Sequence, residues 1–220
     1  GSEDRRVQCG VLIVHARSLP AALQEDRVSR FESTNFSRAL PTSARRVERQ
    51  GRWRGGRPKK RVRSVQAWKV HKFGGSSVAD AACMQRVAKI IENDTAPRKA
   101  VVLSACRGVT DALLTLIGLA EQDSPALDDR LQELRQRHIG IARELLAGEL
   151  CDEYLAALDV DFRDIAGILQ TVRLVRNAST TMRDLISGYG EIWSTRLFER
   201  LLRRRAAGHV QWLDARKALL

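Results

Sequence analysis

A lysine followed closely by two glycines is the first feature of the chain that could do chemistry. Lys72, Gly74, Gly75 and Ser76 come at the end of a short run with apolar residues at alternate positions, WKVHKF, or directly after it. Two glycines after a strand leave room for backbone N–H groups to surround an anion, and the lysine supplies a cation for phosphate. The pattern matches neither the Walker A loop nor G-x-G-x-x-G. The segment is a candidate phosphate site, although a tight turn beside an exposed lysine also explains it.

A second candidate segment, residues 103–110, overlaps the end of the apolar run KAVVLS. Ser104 can hydrogen-bond a phosphoryl oxygen or a substrate. Thr110 stands at the start of a predicted helix, where a hydroxyl and free N–H groups bind a carboxylate, or where the hydroxyl simply caps the helix. No histidine partner for Cys106 is evident in the sequence, so we interpret this cysteine as a structural thiol rather than a nucleophile.

The third candidate segment combines two glycines with a glutamate. Gly188 and Gly190 interrupt a stretch with helical periodicity, and each costs roughly 1 kcal/mol relative to alanine in a helix. Such a cost indicates close approach by a ligand or by another backbone. Glu191 would place a carboxylate beside that approach, where it suits an ammonium group. The alternative is an ordinary glutamate on the helix surface.

The first elements that must position these segments form a βαβ unit. The hydrophobic periodicity predicts a strand over 68–73, a helix over 81–93 and a strand over 99–104. Ser77 or Asp80 could cap the helix. Because the two strands are joined through a helix, their sheet is expected to be parallel.

A helical section and a last strand follow. We predict a helix over 110–122 and then three apolar stripes with helical spacing, which we interpret as core-facing helix surfaces. The stripes consist of Leu131, Leu134, His138, Ile141 and Leu145; of Ile165, Ile168, Leu169, Val172 and Val175; and of Met182, Leu185, Ile186, Tyr189, Trp193, Leu197 and Leu201. We expect Gly208 to end the last helix and residues 209–213 to form another strand.

The resulting order of elements, β-α-β-α-α-α-α-β, predicts an α/β fold, an αβα sandwich with a mainly parallel sheet. In such a sheet the carboxyl ends of the strands carry the active loops, so the first two candidate segments should lie side by side. Three strands are few for a sheet, which usually has about five or six. We therefore expect residues 68–220 to be the N-terminal part of a larger domain.

The positive charge of the chain is concentrated in its first 67 residues. The formal net charge is +12; residues 1–67 hold 16 Lys or Arg and 6 Asp or Glu, against 22 and 20 in the remainder. Residues 45–63 are dense in arginine and glycine, so we expect 1–67 to be a basic, disordered leader. The alternative is that this leader binds nucleic acid or an acidic partner; salt-dependent binding that is lost with residues 1–67 would support it.

The remaining composition argues against several classes of protein. The four cysteines, Cys9, Cys83, Cys106 and Cys151, form no close pair, and only four histidines could join them in a metal site. We therefore expect neither a zinc site nor a disulfide framework, and the pattern suits a reducing cytosol. No apolar run in the sequence approaches the length of a membrane span. We expect a cytoplasmic protein without a membrane partner.

Together the three candidate segments resemble the aspartate kinase family, within the amino acid kinase superfamily. The matching elements are KFGGSSVAD at 72–80, VVLSACRGVTDALL at 101–114 and SGYGEIWSTRLF at 187–198, followed by WLDARKALL at 212–220. The resemblance covers residues 69–220. VHKFGGSSVAD and ILQTVRLVRNAST look most like the kinase portion of bifunctional aspartokinase/homoserine dehydrogenases.

The resemblance implies an enzyme that converts ATP and L-aspartate into ADP and 4-phospho-L-aspartate, the first step toward lysine, threonine and methionine. It implies that Lys72 is catalytic and lies between the nucleotide phosphate and the acceptor carboxylate. Together with Lys72, the phosphate would be held by Gly74, Gly75, Ser76 and Ser104.

The substrate aspartate would be bound by Thr110 and Glu191, with Glu191 taking the α-amino group. The implied cofactor is ATP with Mg²⁺, and no protein ligand for the metal is identified. The resemblance further implies that the full-length enzyme is a homo-oligomer with L-aspartate and ATP as its small-molecule partners. Nucleic acid is not an expected partner of the kinase region, which is nearly neutral.

The resemblance also implies that much of the ATP site lies outside this chain. In the family, segments after position 220 hold the adenine and much of the triphosphate, so we expect the chain alone to have little or no kinase activity. The basic leader is not a feature of the family. Kinases of glutamate, acetylglutamate or a nucleotide remain alternatives, against which Thr110 and Glu191 favour aspartate. A non-catalytic module whose leader binds nucleic acid is the alternative outside enzymes.

Overall fold

A four-stranded parallel sheet with helices packed against it forms the frame of the molecule. The computed structural model describes residues 10–15, 68–205 and 209–214. Its strands are β1 (Gly10–His15), β2 (Lys69–Phe73), β3 (Arg98–Leu103) and β4 (His209–Leu213). A 3-10 turn (Gly75–Val78) follows β2, and the helices are α1 (Ala81–Asn93), α2 (Val109–Glu121), α3 (Leu127–Leu145), α4 (Glu149–Val175) and α5 (Thr180–Arg204).

The strands lie in the order β2-β3-β1-β4, and every neighbouring pair is parallel. The predicted α/β class, the parallel sheet and the predicted order of elements from β2 to β4 are confirmed. The bounds predicted for α1 and β4 are those observed, whereas β3 and α2 each begin one residue earlier than predicted. Because the strands are parallel, their carboxyl ends lie at one edge of the sheet, called here the carboxyl rim.

The strand β1 lies within the basic leader, and the sequence did not predict it. All six residues of β1 pair with β3, and the first five also pair with β4. Composition predicts disorder for residues 1–67, but the structure shows a strand at the six residues of β1. The reason is local: GVLIVH is a short apolar run rich in β-branched residues, inside a region whose average is polar and basic. The remainder of the leader, including residues 45–63, lies outside the described residues.

The carboxylate of Asp80 caps α1 and so fixes where the first βαβ unit turns into its helix. Asp80 has an extended backbone, and its Oδ1 accepts a hydrogen bond of 2.7 Å from the Cys83 N–H. This backbone bond holds the pKa of Asp80 below its usual range. Of the two predicted caps, Asp80 is therefore confirmed, and Ser77 lies in the preceding 3-10 turn instead.

The helical core is built around Trp193 of α5. Its indole stacks on Phe162 of α4, and His138 of α3 stands edge-on to it, each with ring centroids 4.7 Å away. The Trp193 Nε1–H donates to Asp161 Oδ2 at 3.0 Å, and Arg196 donates to the same oxygen at 2.7 Å. The buried indole N–H is thereby satisfied, and α3, α4 and α5 share one core.

Contacts of Trp212 hold α5 against the sheet. The Trp212 Nε1–H of β4 donates to Thr195 Oγ1 at 3.0 Å. The guanidinium of Arg196 lies 5.1 Å from the centre of the Trp212 ring, within the range of a cation–π interaction. Since α5 also contacts β1 and β3, it is the helix that connects the bundle to the strands.

Two residues of the predicted apolar stripes do not face the core. Val175 is 65% exposed and Leu185 is 43% exposed. Val175 is the last residue of α4. The left-handed backbone of Arg176 ends the helix there, and the Val175 side chain remains exposed to solvent. The last helix, α5, ends at Arg204 with Arg205 as its C-cap, so the prediction that Gly208 ends it is wrong. None of the described helices is long and apolar enough to cross a membrane.

Lowering the pH is expected to destabilise the fold through His138. The imidazole is fully buried, its Nδ1 lies 2.9 Å from the Leu134 carbonyl oxygen, and burial lowers its pKa from 6.5 to about 4. Between these values the unfolded state binds more protons than the folded state. This contribution to stability is therefore complete above pH 6.5 and is lost as the pH falls toward 4, by about 3 kcal/mol.

The variant His138→Gln, which has no titrating group at this position, isolates the effect. Urea unfolding of both proteins at a series of pH values gives the difference in their unfolding free energies. We expect that difference to shrink by about 3 kcal/mol between pH 7 and pH 4. A difference that stays constant over this range would contradict the burial of a neutral imidazole.

Candidate functional site

Backbone hydrogen bonds bring the first two candidate segments together at the carboxyl rim. Phe73 pairs with Leu103, and the Ser104 N–H donates to the Phe73 carbonyl oxygen at 3.1 Å. Further on, the Arg107 N–H donates to the Gly75 carbonyl oxygen at 3.1 Å. The segment after β2 (residues 74–80, the β2 loop) and the segment after β3 (residues 104–108, the β3 loop) therefore lie side by side.

The two glycines of the β2 loop have different roles. A Cβ at Gly75 would lie 2.8 Å from the Ala105 carbonyl oxygen, closer than real Cβ atoms approach a backbone. At Gly74, a Cβ would meet nothing within 4 Å among the described residues. Gly75 thus allows the two loops to touch, whereas Gly74 leaves open space at the start of the 3-10 turn, where backbone N–H groups have no partner within the turn.

The third candidate segment lies at the same rim because α5 packs directly on the β3 loop. Ser194 Oγ donates to the Ser104 carbonyl oxygen at 2.8 Å. One helical turn earlier, a Cβ at Gly190 would lie 2.9 Å from both Ala105 Cβ and Val109 Cγ1. The prediction that a glycine in this helix marks a close approach is confirmed at Gly190, and the approaching group is the protein itself.

Glu191 lies between these two contacts of α5 and is buried, with 6% of its surface exposed. Its carbonyl oxygen accepts hydrogen bonds from Thr195 Oγ1 at 2.7 Å and from Ser194 Oγ at 3.0 Å. The alternative of an ordinary glutamate on the helix surface is therefore wrong. A carboxylate in such a site interacts with an approaching cation far more strongly than it would in bulk water.

Thr110 is the second residue of α2, and its hydroxyl does not cap the helix. The helix begins at Val109, and its N-cap is Gly108, which has a left-handed backbone with φ 77°. The capping interpretation of Thr110 is wrong because a glycine that tolerates positive φ makes the turn instead. The Thr110 hydroxyl makes no hydrogen bond to any residue that the structure describes, and Thr110 is half-buried.

The other predicted phosphate-binding residues lie beside this rim. Lys72 is exposed near the end of β2, Ser76 is exposed in the 3-10 turn, and Ser104 is half-buried just after β3. Lys72 pairs with Val102 and alternates with the buried Phe73, so its side chain leaves the sheet on the face opposite to the helical core. An anion that arrives from solvent can therefore contact this lysine.

The thiol of Cys106 has no catalytic character. Cys106 is 2% exposed, and burial raises its pKa to about 11, so the thiol stays protonated at neutral pH. The interpretation of Cys106 as a structural thiol is confirmed. Cys83 and Cys151 are also buried free thiols.

Three residues that shape the rim were missed by reasoning from the sequence. Ser194 lies four residues after Gly190, so helical spacing could have placed both on the face of α5 that touches the β3 loop. Gly108 carried a weak signal, since glycine is an acceptable N-cap. Arg137 of α3 had none: its guanidinium donates to the Arg107 carbonyl oxygen at 2.8 Å, a contact made across 30 residues of sequence.

Parallel strands joined through helices define an α/β protein of the open-sheet class, in which ligands bind beside the carboxyl ends of the strands. The sequence identifies the family within this class. The chain belongs to the amino acid kinase family, whose model matches residues 67–219. The predicted resemblance is thereby confirmed.

Similar proteins of known function include aspartokinases. The bifunctional aspartokinase/homoserine dehydrogenase 2 (chloroplastic) of Arabidopsis thaliana is 32% identical over 155 residues, which are 70% of this chain and 17% of that protein. Lysine-sensitive aspartokinase 3 of Escherichia coli strain K12 is 34% identical over 151 residues, 68% of this chain and 31% of that protein. The chain therefore spans well under half the length of these relatives.

Solved structures show the same similarity. The crystal structure of E. coli aspartokinase III in complex with aspartate and ADP matches with a TM-score of 0.58 at 34% identity, covering 67% of this chain and 31% of that one. The structure of the same enzyme with lysine and aspartate matches with a TM-score of 0.57. The fold described above is thus that of the corresponding part of an aspartokinase.

Alanine at Gly190 and alanine at Gly188 are expected to have different effects on stability. Both positions lie inside α5, where alanine gains about 1 kcal/mol in helix propensity. At Gly190 the new Cβ would collide with Ala105 and Val109, whereas at Gly188 it would meet nothing within 4 Å among the described residues. We expect Gly190→Ala to be less stable than Gly188→Ala by about 1–3 kcal/mol. Urea unfolding measures both, and equal stabilities would contradict the packing of α5 on the β3 loop.

Proposed function

We propose that residues 68–220 bind L-aspartate and the phosphoryl end of ATP for the reaction that gives ADP and 4-phospho-L-aspartate. The observation that carries this proposal is the meeting of three segments at one rim. The bond from Arg107 to Gly75 joins the first two, and the bond from Ser194 to Ser104 adds the third. Each segment brings a polar or charged group that this reaction needs, and the similar proteins are named aspartokinases.

The phosphate side of the proposed site consists of the β2 loop and the start of the β3 loop. Lys72 is the proposed catalytic residue: its charge offsets the repulsion between the nucleotide phosphate and the acceptor carboxylate. Gly74 leaves space for phosphate oxygens beside backbone N–H groups, and Gly75 keeps the loop close to its neighbour. The hydroxyls of Ser76 and Ser104 are the proposed neutral donors to the same oxygens.

The aspartate side consists of the start of α2 and the middle of α5. Glu191 is proposed to bind the α-ammonium group, because its burial strengthens the attraction for a cation. Thr110 is proposed to bind a carboxylate of the substrate through its hydroxyl, in the first turn of α2, where the helix dipole favours negative charge. The ammonium group of aspartate would thus contact α5 and a carboxylate would contact α2, and the two contacts together would orient the substrate.

The proposed chemistry depends on positioning and charge rather than on a strong base. The side-chain carboxylate of aspartate is ionised at neutral pH, so the nucleophile has no proton to lose. Phosphoryl transfer then requires the carboxylate and the phosphorus to be held in line, with their negative charges offset. Thr110 and Glu191 would hold the nucleophile, and Lys72 would offset the charge.

ATP and Mg²⁺ enter the proposal together. The structure of E. coli aspartokinase III contains ADP and aspartate, which supports the use of adenine nucleotide. In the part of the chain that the structure describes, no group of three or more His, Cys, Asp or Glu could hold a metal ion. In the proposal Mg²⁺ would arrive with ATP and would supply charge neutralisation for the phosphate.

The biological setting is also a proposal. We take residues 68–220 as the N-terminal portion of an aspartate kinase catalytic domain and residues 1–67 as a leader. We take the full-length enzyme as a cytoplasmic homo-oligomer at the first step toward lysine, threonine and methionine. The family match and the share of the relatives that is covered support the extent of the domain. Cell fractionation tests the location, because the Arabidopsis relative is named chloroplastic.

Aspartate is expected to bind the chain, and to bind Glu191→Gln at least tenfold more weakly. The substitution removes a charged hydrogen-bond acceptor, which is worth about 1.5–3 kcal/mol. Isothermal titration calorimetry measures both affinities, and Glu144→Gln, at an exposed glutamate of α3, is the matched control. Thr110→Val should also weaken binding.

Two results of this titration would contradict the proposal. An unchanged affinity in Glu191→Gln would remove the assigned role of this residue. Tighter binding of glutamate than of aspartate would identify the chain with another amino acid kinase. The wild-type chain should therefore be titrated with both amino acids under the same conditions.

The chain alone is expected to show little or no turnover of ATP in the presence of aspartate. It spans 17% of the Arabidopsis relative and 31% of E. coli aspartokinase 3, and the family resemblance assigns much of the nucleotide site to later segments. An assay that couples ADP release to NADH oxidation measures turnover. Activity that depends on aspartate and is abolished in Lys72→Ala would overturn this expectation.

A further inference from the structure

The guanidinium of Arg137 contacts both loops of the rim from a third element, α3. Its Nη2 donates to the Arg107 carbonyl oxygen at 2.8 Å and, more weakly, to the Ala79 carbonyl oxygen at 3.4 Å. Ala79 belongs to the β2 loop and Arg107 to the β3 loop. Arg137 is next in sequence to the fully buried His138, so its backbone is fixed by the helical core.

Both carbonyl groups lie where the chain changes direction. Ala79 is the C-cap of the 3-10 turn and directly precedes Asp80, the cap of α1. Arg107 directly precedes Gly108, whose left-handed backbone starts α2. A group that holds these two carbonyls therefore fixes how both helices leave the rim.

We propose that Arg137 is a positioning residue that sets the separation between the β2 loop and the β3 loop. It thereby fixes the distance between the phosphate side, at Gly74 and Gly75, and the aspartate side, at Thr110. The identity of the ligands rests on the proposed function. The contact of Arg137 with the two loops is independent of it. Arg137 touches no reacting group in this scheme and acts through the backbone.

Arginine suits this task because one planar guanidinium carries five N–H donors and can serve two acceptors at once. Hydrogen bonds from a charged donor are also stronger than those from a neutral one. The Arg107–Gly75 backbone bond joins the same two loops. Loss of the guanidinium should therefore loosen the rim without unfolding the protein.

The reactivity of the Cys106 thiol reports on this loosening. Cys106 lies in the β3 loop, next to Arg107, and is 2% exposed, so a thiol reagent reaches it only when the loop opens. We expect Arg137→Met to raise the labelling rate of Cys106 several-fold, the effect of losing a hydrogen bond from a solvent-exposed donor. Removal of the nearby positive charge by itself would raise the pKa of the thiol and slow the reaction, so a faster reaction reports opening.

The experiment uses the whole chain, with mass spectrometry to assign each labelled cysteine. Cys151, which is buried in α4, serves as the internal reference. Arg130→Met is the matched control, because Arg130 is an exposed residue of the same helix that pairs only with its neighbour Glu133 among the described residues. Arg137→Lys keeps the positive charge and an N–H donor but lacks the planar guanidinium. We therefore expect its labelling rate at Cys106 to lie between those of the wild type and Arg137→Met.

The inference is supported if Cys106 reacts faster in Arg137→Met while Cys151 does not, with Arg137→Lys between that variant and the wild type. Hydrogen exchange of residues 104–108 should rise in parallel. An unchanged rate at Cys106 would overturn it. An equal increase at Cys106 and Cys151, with a lower melting temperature, would also overturn it, because Arg137 would then support the whole fold rather than the rim.

Aspartate binding gives a second readout. If the loops form the proposed site, Arg137→Met should weaken aspartate binding several-fold, and Arg137→Lys should restore part of the affinity. Absence of aspartate binding by the wild-type chain would contradict the proposed function. The labelling experiment contains no ligand, so its result decides the role of Arg137 in either case.

Discussion

The close approach of two backbones beyond β2 and β3 is the constraint on which the candidate site depends. Ala105 lies between two glycines: its carbonyl oxygen occupies the space that a side chain at Gly75 would need, and its Cβ occupies the space that a side chain at Gly190 would need. The β2 loop, the β3 loop and α5 are therefore packed around one small residue. Because interiors of this density resist local displacement, the three segments hold their relative positions without a ligand.

The two charged residues of the proposed site occupy different environments, and this difference has a chemical use. Lys72 is exposed, so it can meet a hydrated anion such as a nucleotide phosphate. Glu191 is buried in α5, so a group that pairs with it must leave its own water behind. A ligand that fails to replace those lost interactions is penalised, so the buried glutamate discriminates against ligands that lack an ammonium group.

The sequence predicted those features that local physics determines. Asp80 caps α1 at the predicted residue, and the class and order of the elements followed from periodicity. Features that depend on distant contacts were not predictable. The exposure of Val175 depends on where α4 ends, the start of α2 depends on the backbone of Gly108, and the partners of Arg137 are carbonyl groups 30 and 58 residues away, which leave no mark on side-chain patterns. The strand β1 was hidden by the basic composition around it.

The position of β1 between β3 and β4 has a consequence for how the protein is made. Gly10 of β1 pairs with His209 of β4, so a central strand of the sheet is synthesised about 200 residues before one of its partners. At a synthesis rate of about 5–20 residues per second, β1 leaves the ribosome roughly 10–40 s before β4. During that interval β1 has an unpaired edge, which is a known hazard for aggregation. Contacts across so long a stretch of chain also form slowly, so completion of the sheet is a late event in folding.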